Sequence, residues 1–210
     1  MFRIAPLVLL VIVLAAAPAT APTDRSTVKG AVSALWHAIA TGDVLQVGDS
    51  LDTSDDRLTG AAAELLVAGK KLSDTASARF GKSGHPIGRT MLDFGDPDQA
   101  LSKLQITETG DTATVTGENQ TKMQFRRTNG QWRLVVPEFT GGKREDLPQQ
   151  VKLLHDMAVA LNEAAREIQS GKYDTAPEAE RLIQDRLHAV MIETFRPATR
   201  PSPAPAASRP

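Results

Sequence analysis

The apolar residues of this chain change their period twice, and that switch constrains the fold more than any other feature. From Val28 they fall at Val28, Val32, Leu35, Trp36 and Ile39, the three-four spacing that gives a helix one buried stripe. Gly42 closes this helix, Asp43 caps the next, and Val44, Val47 and Leu51 continue a second short helical pattern. After a polar break at 52–56, Leu58, Ala62, Leu65, Leu72, Ala76 and Phe80 predict a longer helix ending at Gly81. Gly60 and Gly69 weaken it by about 1 kcal/mol each relative to alanine. Beyond a loop through His85, Pro86 and Gly88 the period becomes two. Leu104 and Ile106, Ala113 and Val115, Met123 and Phe125, and Trp132, Leu134 and Val136 each alternate with polar neighbours. Gly110 with Asp111, and Asn129 with Gly130, mark the turns of an antiparallel meander that is apolar on one face only.

The helical period then returns. Pro148 opens a stripe of Val151, Leu154, Ala158, Leu161, Ala165 and Ile168 that stops at Gly171. Thr175 and Glu178 stand at capping-box spacing before Leu182, Ile183, Leu187, Val190 and Met191, so the two segments read as a helical hairpin. The fold class is therefore α+β: N-terminal helices packed on an antiparallel sheet, followed by a C-terminal helical hairpin.

The ends of the chain differ from its middle. Arg3 is followed by an apolar run of Leu, Val, Ile and Ala from Ile4 to Ala17, broken only by Pro6 and shorter than the roughly 20 residues needed to span a bilayer. Ala17 and Ala19 supply the small residues a signal peptidase reads, which places the cut before Thr20. Residues 1–19 thus read as a signal peptide and the chain as exported, periplasmic or secreted, with no integral membrane span after cleavage. The alternative is anchorage by an uncleaved N-terminal segment. Residues 196–210 alternate proline with Ala, Ser, Thr and Arg and lack any large apolar residue, the composition of a disordered tail. The domains expected are a linker at 20–27, an α+β domain at 28–142 and a helical hairpin at 143–195.

Composition mostly excludes. With 210 residues, 24 Lys plus Arg and 25 Asp plus Glu, the net charge is −1, which gives no electrostatic footprint for nucleic acid. There is no cysteine, so disulfides, thiol catalysis, iron–sulfur clusters and a lipidated cysteine are all ruled out.

The glycine-terminated first helix with Asp43, the second helical block, the turn at Gly110 and Asp111, and the segment Asn129, Gly130, Gln131, Trp132, Arg133, Leu134 together resemble the NTF2-like superfamily, in particular its exported bacterial members. The resemblance covers Val28 to Phe139. It implies a cystatin-like cone, in which the helices cover the concave side of a bent antiparallel sheet and often enclose an apolar pocket. Isomerases, dehydratases, polyketide cyclases and transport factors share that fold, so it does not decide function. This chain departs from the pattern in showing about four strands and in carrying two helices past the sheet.

Candidate chemistry is sparse. Catalytic members of that superfamily place a carboxylate or histidine, often with a tyrosine, inside the cone. The one tyrosine here, Tyr173, falls between the two late helices, where it is poorly placed for that work. His37 and His188 lie off their helical stripes and are expected to face solvent, and His155 flanks its stripe. His85, with Asp93 nearby in sequence, is the one pair worth testing for catalysis. Gly81, Lys82 and Ser83 imitate a phosphate-binding loop, but Ala76 stands where its first glycine belongs. The four histidines lack the spacing of a zinc helix, so no metal and no cofactor is expected. Arg126, Arg127 and Arg133 beside Phe125 and Trp132 imitate a nucleic-acid platform, yet strand alternation turns the aromatics inward. Trp36, Leu65, Phe125, Trp132 and Leu134 are the candidate lining of an apolar pocket.

These features favour an exported, non-enzymatic binding or interaction domain whose partner is an apolar small molecule or a cell-envelope protein. The alternative is a small-molecule enzyme of isomerase or dehydratase type using a pocket in the cone. A third reading is a structural partner that docks through the helices after Pro148.

Overall fold

The computed structural model describes residues 24–53, 55–84, 87, 101–117, 122–136 and 146–195. The expected leader, the tail from 196, the boundary at 142 and both His85 and Asp93 lie outside the described residues. The element order is α1 (Val28–Thr41), α2 (Val44–Asp49), β1 (Leu51–Asp52), α3 (Asp56–Phe80), a 3-10 turn (Gly81–Gly84), β2 (Gln105–Thr109), β3 (Thr112–Thr116), β4 (Lys122–Thr128), β5 (Gln131–Val135), α4 (Leu147–Gln169) and α5 (Ala176–Thr194). The class is α+β.

Local chemistry sets the boundaries. The Thr27 hydroxyl accepts from the Gly30 amide at the start of α1, and Gly42 ends that helix at φ 73°, the left-handed conformation for which glycine has no steric penalty. Asp43 caps α2 by accepting from the Gln46 amide at 3.0 Å. Thr175 accepts from the Glu178 amide at 3.4 Å, while the Glu178 carboxylate accepts from the Asp174 amide at 3.2 Å, one residue before the Thr175 amide that a capping box would engage. At the tip between β4 and β5, Asn129 and Gly130 both have positive φ, 52° and 77°, as a tight two-residue hairpin requires.

Among the described residues the sheet has five strands, in the order β1-β5-β4-β3-β2. Four of them form the expected antiparallel meander, but β1 pairs parallel with β5, matching Leu51 to Leu134 and Asp52 to Val135, so the sheet is mixed. Leu51 therefore leaves the helical pattern that its spacing from Val47 suggested. The Ser50 carbonyl accepts from Leu134 N at 2.8 Å and the Asp52 carbonyl from Val136 N at 3.2 Å, so ladder bonds replace the helical ones.

Two apolar cores share the long helices. The first joins α1, α2 and the first half of α3 to one sheet face, with Val32, Leu35, Leu58, Val115 and Phe125 each no more than 1% exposed. The second joins Leu72 and Ala76 of α3 to Ala164, Ala165 and Ile168 of α4 and to Tyr173, Ala179 and Ile183. Helix α3 packs chiefly against α4, along which alanines stand at Ala158, Ala160, Ala164 and Ala165. Small side chains there let the two helix axes approach closely. The helical hairpin is accordingly fastened along the length of α3, since Leu154 of α4 also joins the first core.

Candidate functional site

Among the described residues, three places carry side chains beyond what the cores require. The first lies at the turn between α4 and α5. Glu167 accepts from Lys172 Nζ at 2.7 Å, from the Tyr173 hydroxyl, and from Arg186 Nη2 at 3.0 and 2.8 Å on its two oxygens. Arg186 Nη1 stands 3.8 Å from Glu163. The Lys172 ammonium, then the Tyr173 hydroxyl and the Arg186 guanidinium, hold the Glu167 carboxyl down at about 2, against the upward push of partial burial. Burial, and next the Glu167 carboxylate that its hydroxyl meets, push Tyr173 up to about 12. A carboxylate held that low and a phenol held that high keep their charges fixed across the neutral range. General acid–base work there is thereby disfavoured, since it needs a group that titrates near the working pH. The cluster locks the hairpin at its turn, and Gln149 Nε2, donating to the Thr194 carbonyl at 2.6 Å, ties its open end.

The second is the far end of α5. No residue from 184 to 193 is buried, although the apolar stripe continues through Leu187, Val190 and Met191. Met191 is 40%, Ile192 52% and Phe195 49% exposed, and their three-four spacing gathers them on one side of the last turn. Such a cluster of large apolar side chains costs solvation unless something covers it.

The third is the sheet face turned away from the helices. Arg126 of β4 and Arg133 of β5 are direct cross-strand partners on it, and Arg126 Nη1 lies 3.0 Å from Asp52 Oδ2. On the helix-facing side, Arg127 stands over the Trp132 ring at 5.6 Å.

The sequence-predicted pocket residues do come together. Trp36, Phe125 and Trp132 are 5%, 1% and 2% exposed, and Leu65 and Leu134 pack partly buried against the same core. Phe125 and Trp132 point inward while Arg126 is exposed, as the alternation required. Tyr173 stands among the residues of the second core, apart from the sheet. His188 is exposed, whereas His37 is half-buried rather than solvent-facing, because α1 is covered on more than its stripe. His155 is an exposed flank residue whose Nδ1 meets Glu64 Oε2 at 2.9 Å, an ion pair between α4 and α3 when the ring is protonated. Among the described residues no group of three or more His, Asp or Glu side chains is placed to hold a metal ion. No described helix is long and apolar enough to cross a membrane.

Sequence reasoning missed the Glu167 cluster and the Asp52 ion pair. Glu167 and Arg186 are 19 residues apart on different helices, and Asp52 meets Arg126 only because a parallel strand intervenes. No protein-family model, curated protein or solved structure matches this chain.

Proposed function

We propose that the chain is an exported, non-enzymatic interaction domain that docks on a protein of the cell envelope through the apolar end of α5. One observation carries this reading: Met191, Ile192 and Phe195 remain 40–52% exposed on one side of a helix whose other half is well packed. A helix that presents three large apolar side chains at its end fits a groove in a partner. The fixed protonation states at the Glu167 cluster favour a structural part for that site and give the enzyme alternative no support. The order of helices and strands from α1 to β5 favours an NTF2-like cone as the scaffold, with the parallel β1 as its departure from a plain meander. The apolar run before Ala19 supports the exported address.

The test joins address and contact. Fractionated cells are expected to yield a species beginning near Thr20 outside the cytoplasm by mass spectrometry of the N-terminus. A photo-crosslinking residue at position 192 is expected to capture one discrete protein partner in that fraction, and the same residue at exposed Gln184 none. Ile192→Glu should abolish the product while leaving the thermal midpoint within about 2 °C. Full-length protein confined to the cytoplasm refutes export, and equal products from both positions refute the docking face.

A further inference from the structure

We infer that the outer face of the sheet holds a carboxylate-binding site formed by Arg133 and Arg126. The inference is independent of the α5 reading, since the two surfaces share no residue. Its starting point is an arrangement that works against folding. Two arginines are direct cross-strand partners on adjacent strands, where like charges are unfavourable. Asp52 supplies one counter-charge, and it sits 3.0 Å from Arg126 with its side chain only 17% exposed. Among the described residues no carboxylate is within ion-pair distance of Arg133, and its Nε is buried without a hydrogen-bond partner. A buried donor left unsatisfied is costly, and native structures rarely keep one that has no use.

Charge and shape name the ligand. Asp52, Arg126 and Arg133 sum to +1, which one singly charged oxyanion neutralises. The edge of a guanidinium offers Nε and one Nη as parallel donors, and the two coplanar oxygens of a carboxylate match that fork. Binding turns Arg133 so that Nε gains the acceptor it lacks, with Arg126 closing from the neighbouring strand. Gln124 and Gln131, each two residues along the same face, supply amides at the rim. Lys122 is four residues from Arg126, roughly 13 Å along the strand, too far to share the same carboxylate. The occupant is an acidic peptide segment, whose side-chain carboxylate reaches the arginine pair while its backbone lies on the polar strand surface.

The test uses the full chain labelled with nitrogen-15, following the arginine side-chain Nε–H signals. Titration with a tri-glutamate peptide is expected to shift the Arg133 signal saturably. Arg126→Gln should weaken that binding about tenfold, and Arg133→Lys, which keeps the charge and loses the fork, by a similar factor. Lys122→Gln should leave it unchanged. Arg133→Met should remove binding and raise the thermal midpoint, because it deletes a repulsion and an unmet donor; a structural arginine would lower that midpoint. The inference fails if Arg133 does not respond to the peptide, if it responds only to phosphatidylglycerol vesicles, which would assign the pair to phosphodiester chemistry, or if Arg133→Met lowers the midpoint.

Discussion

Glu167→Gln lowers the unfolding free energy by on the order of 2 kcal/mol at neutral pH, the scale expected for a half-buried carboxylate that loses its charge against two cations and a phenol. The pH dependence separates this lock from an ordinary surface ion pair. The folded carboxyl titrates at about 2 and the unfolded one near 4.5. Between those values the unfolded chain takes up the proton and the folded chain does not, so stability falls as the solution is acidified through that window. Above pH 4.5 the contribution is complete. Urea unfolding at a series of pH values should show this slope in the native sequence and a flatter acid limb in Glu167→Gln. Glu163→Gln, whose carboxylate is half exposed and 3.8 Å from Arg186, should keep the slope. Tyr173 adds the opposite limb. Its pKa is raised from 10.0 to about 12, so its contribution is complete below pH 10 and is lost as pH rises through about 12. Tyr173→Phe should remove that alkaline loss. Equal acid slopes in the native and Glu167→Gln proteins would show that the cluster does not lock the hairpin.

The second large effect is at Trp132. Trp132→Ala is expected to cost about 3–5 kcal/mol, the range for deleting a large aromatic side chain from a packed core. At 2% exposure the ring belongs to the first core, and Trp132 N donates to the Arg25 carbonyl at 2.8 Å, which fastens the residues before α1 to β5. Denaturant unfolding followed by far-ultraviolet dichroism measures the loss, and Trp36 remains as a fluorescence reporter of the same core. A change below about 1 kcal/mol would mean that the Trp132 side chain faces a space that tolerates emptying, as a ligand-lining residue does.

How much was legible follows from what each signal depends on. The helices and the four meander strands were readable because burial on one face imposes a period of three-four or two on consecutive residues. The Asp43 cap, the Thr175 cap and the hairpin at Asn129 and Gly130 were readable because each is local, decided within four residues. Strand β1 was not, since two residues are too few to show alternation and its partner lies more than 80 positions away. The stripe from Leu182 to Met191 correctly named the apolar face of α5, but period cannot tell whether the surface that covers a face belongs to the same chain. Met191, counted with the stripe, is 40% exposed. Phe125, Trp132 and Leu134 fall on the helix-facing side of the sheet, with Trp36 and Leu65 in the same core, because alternation fixes which side of a strand a residue takes. The charged sites were the least legible: Glu167 finds Arg186, and Asp52 finds Arg126, only after helices and strands distant in sequence have been brought together.

The parallel pairing of β1 with β5 also bears on the order in which the molecule is made. Residues 51 and 52 acquire their ladder partners only when residues 134–136 exist, and the second half of α3 packs largely on residues 158–183. A nascent chain emerging from the ribosome therefore cannot complete either core until most of its length has been synthesised. During that interval the apolar faces of α1 and α3 lack their native partners. The pairing of the edge strand β1 with the last strand, β5, thus postpones completion of the sheet until most of the chain is available.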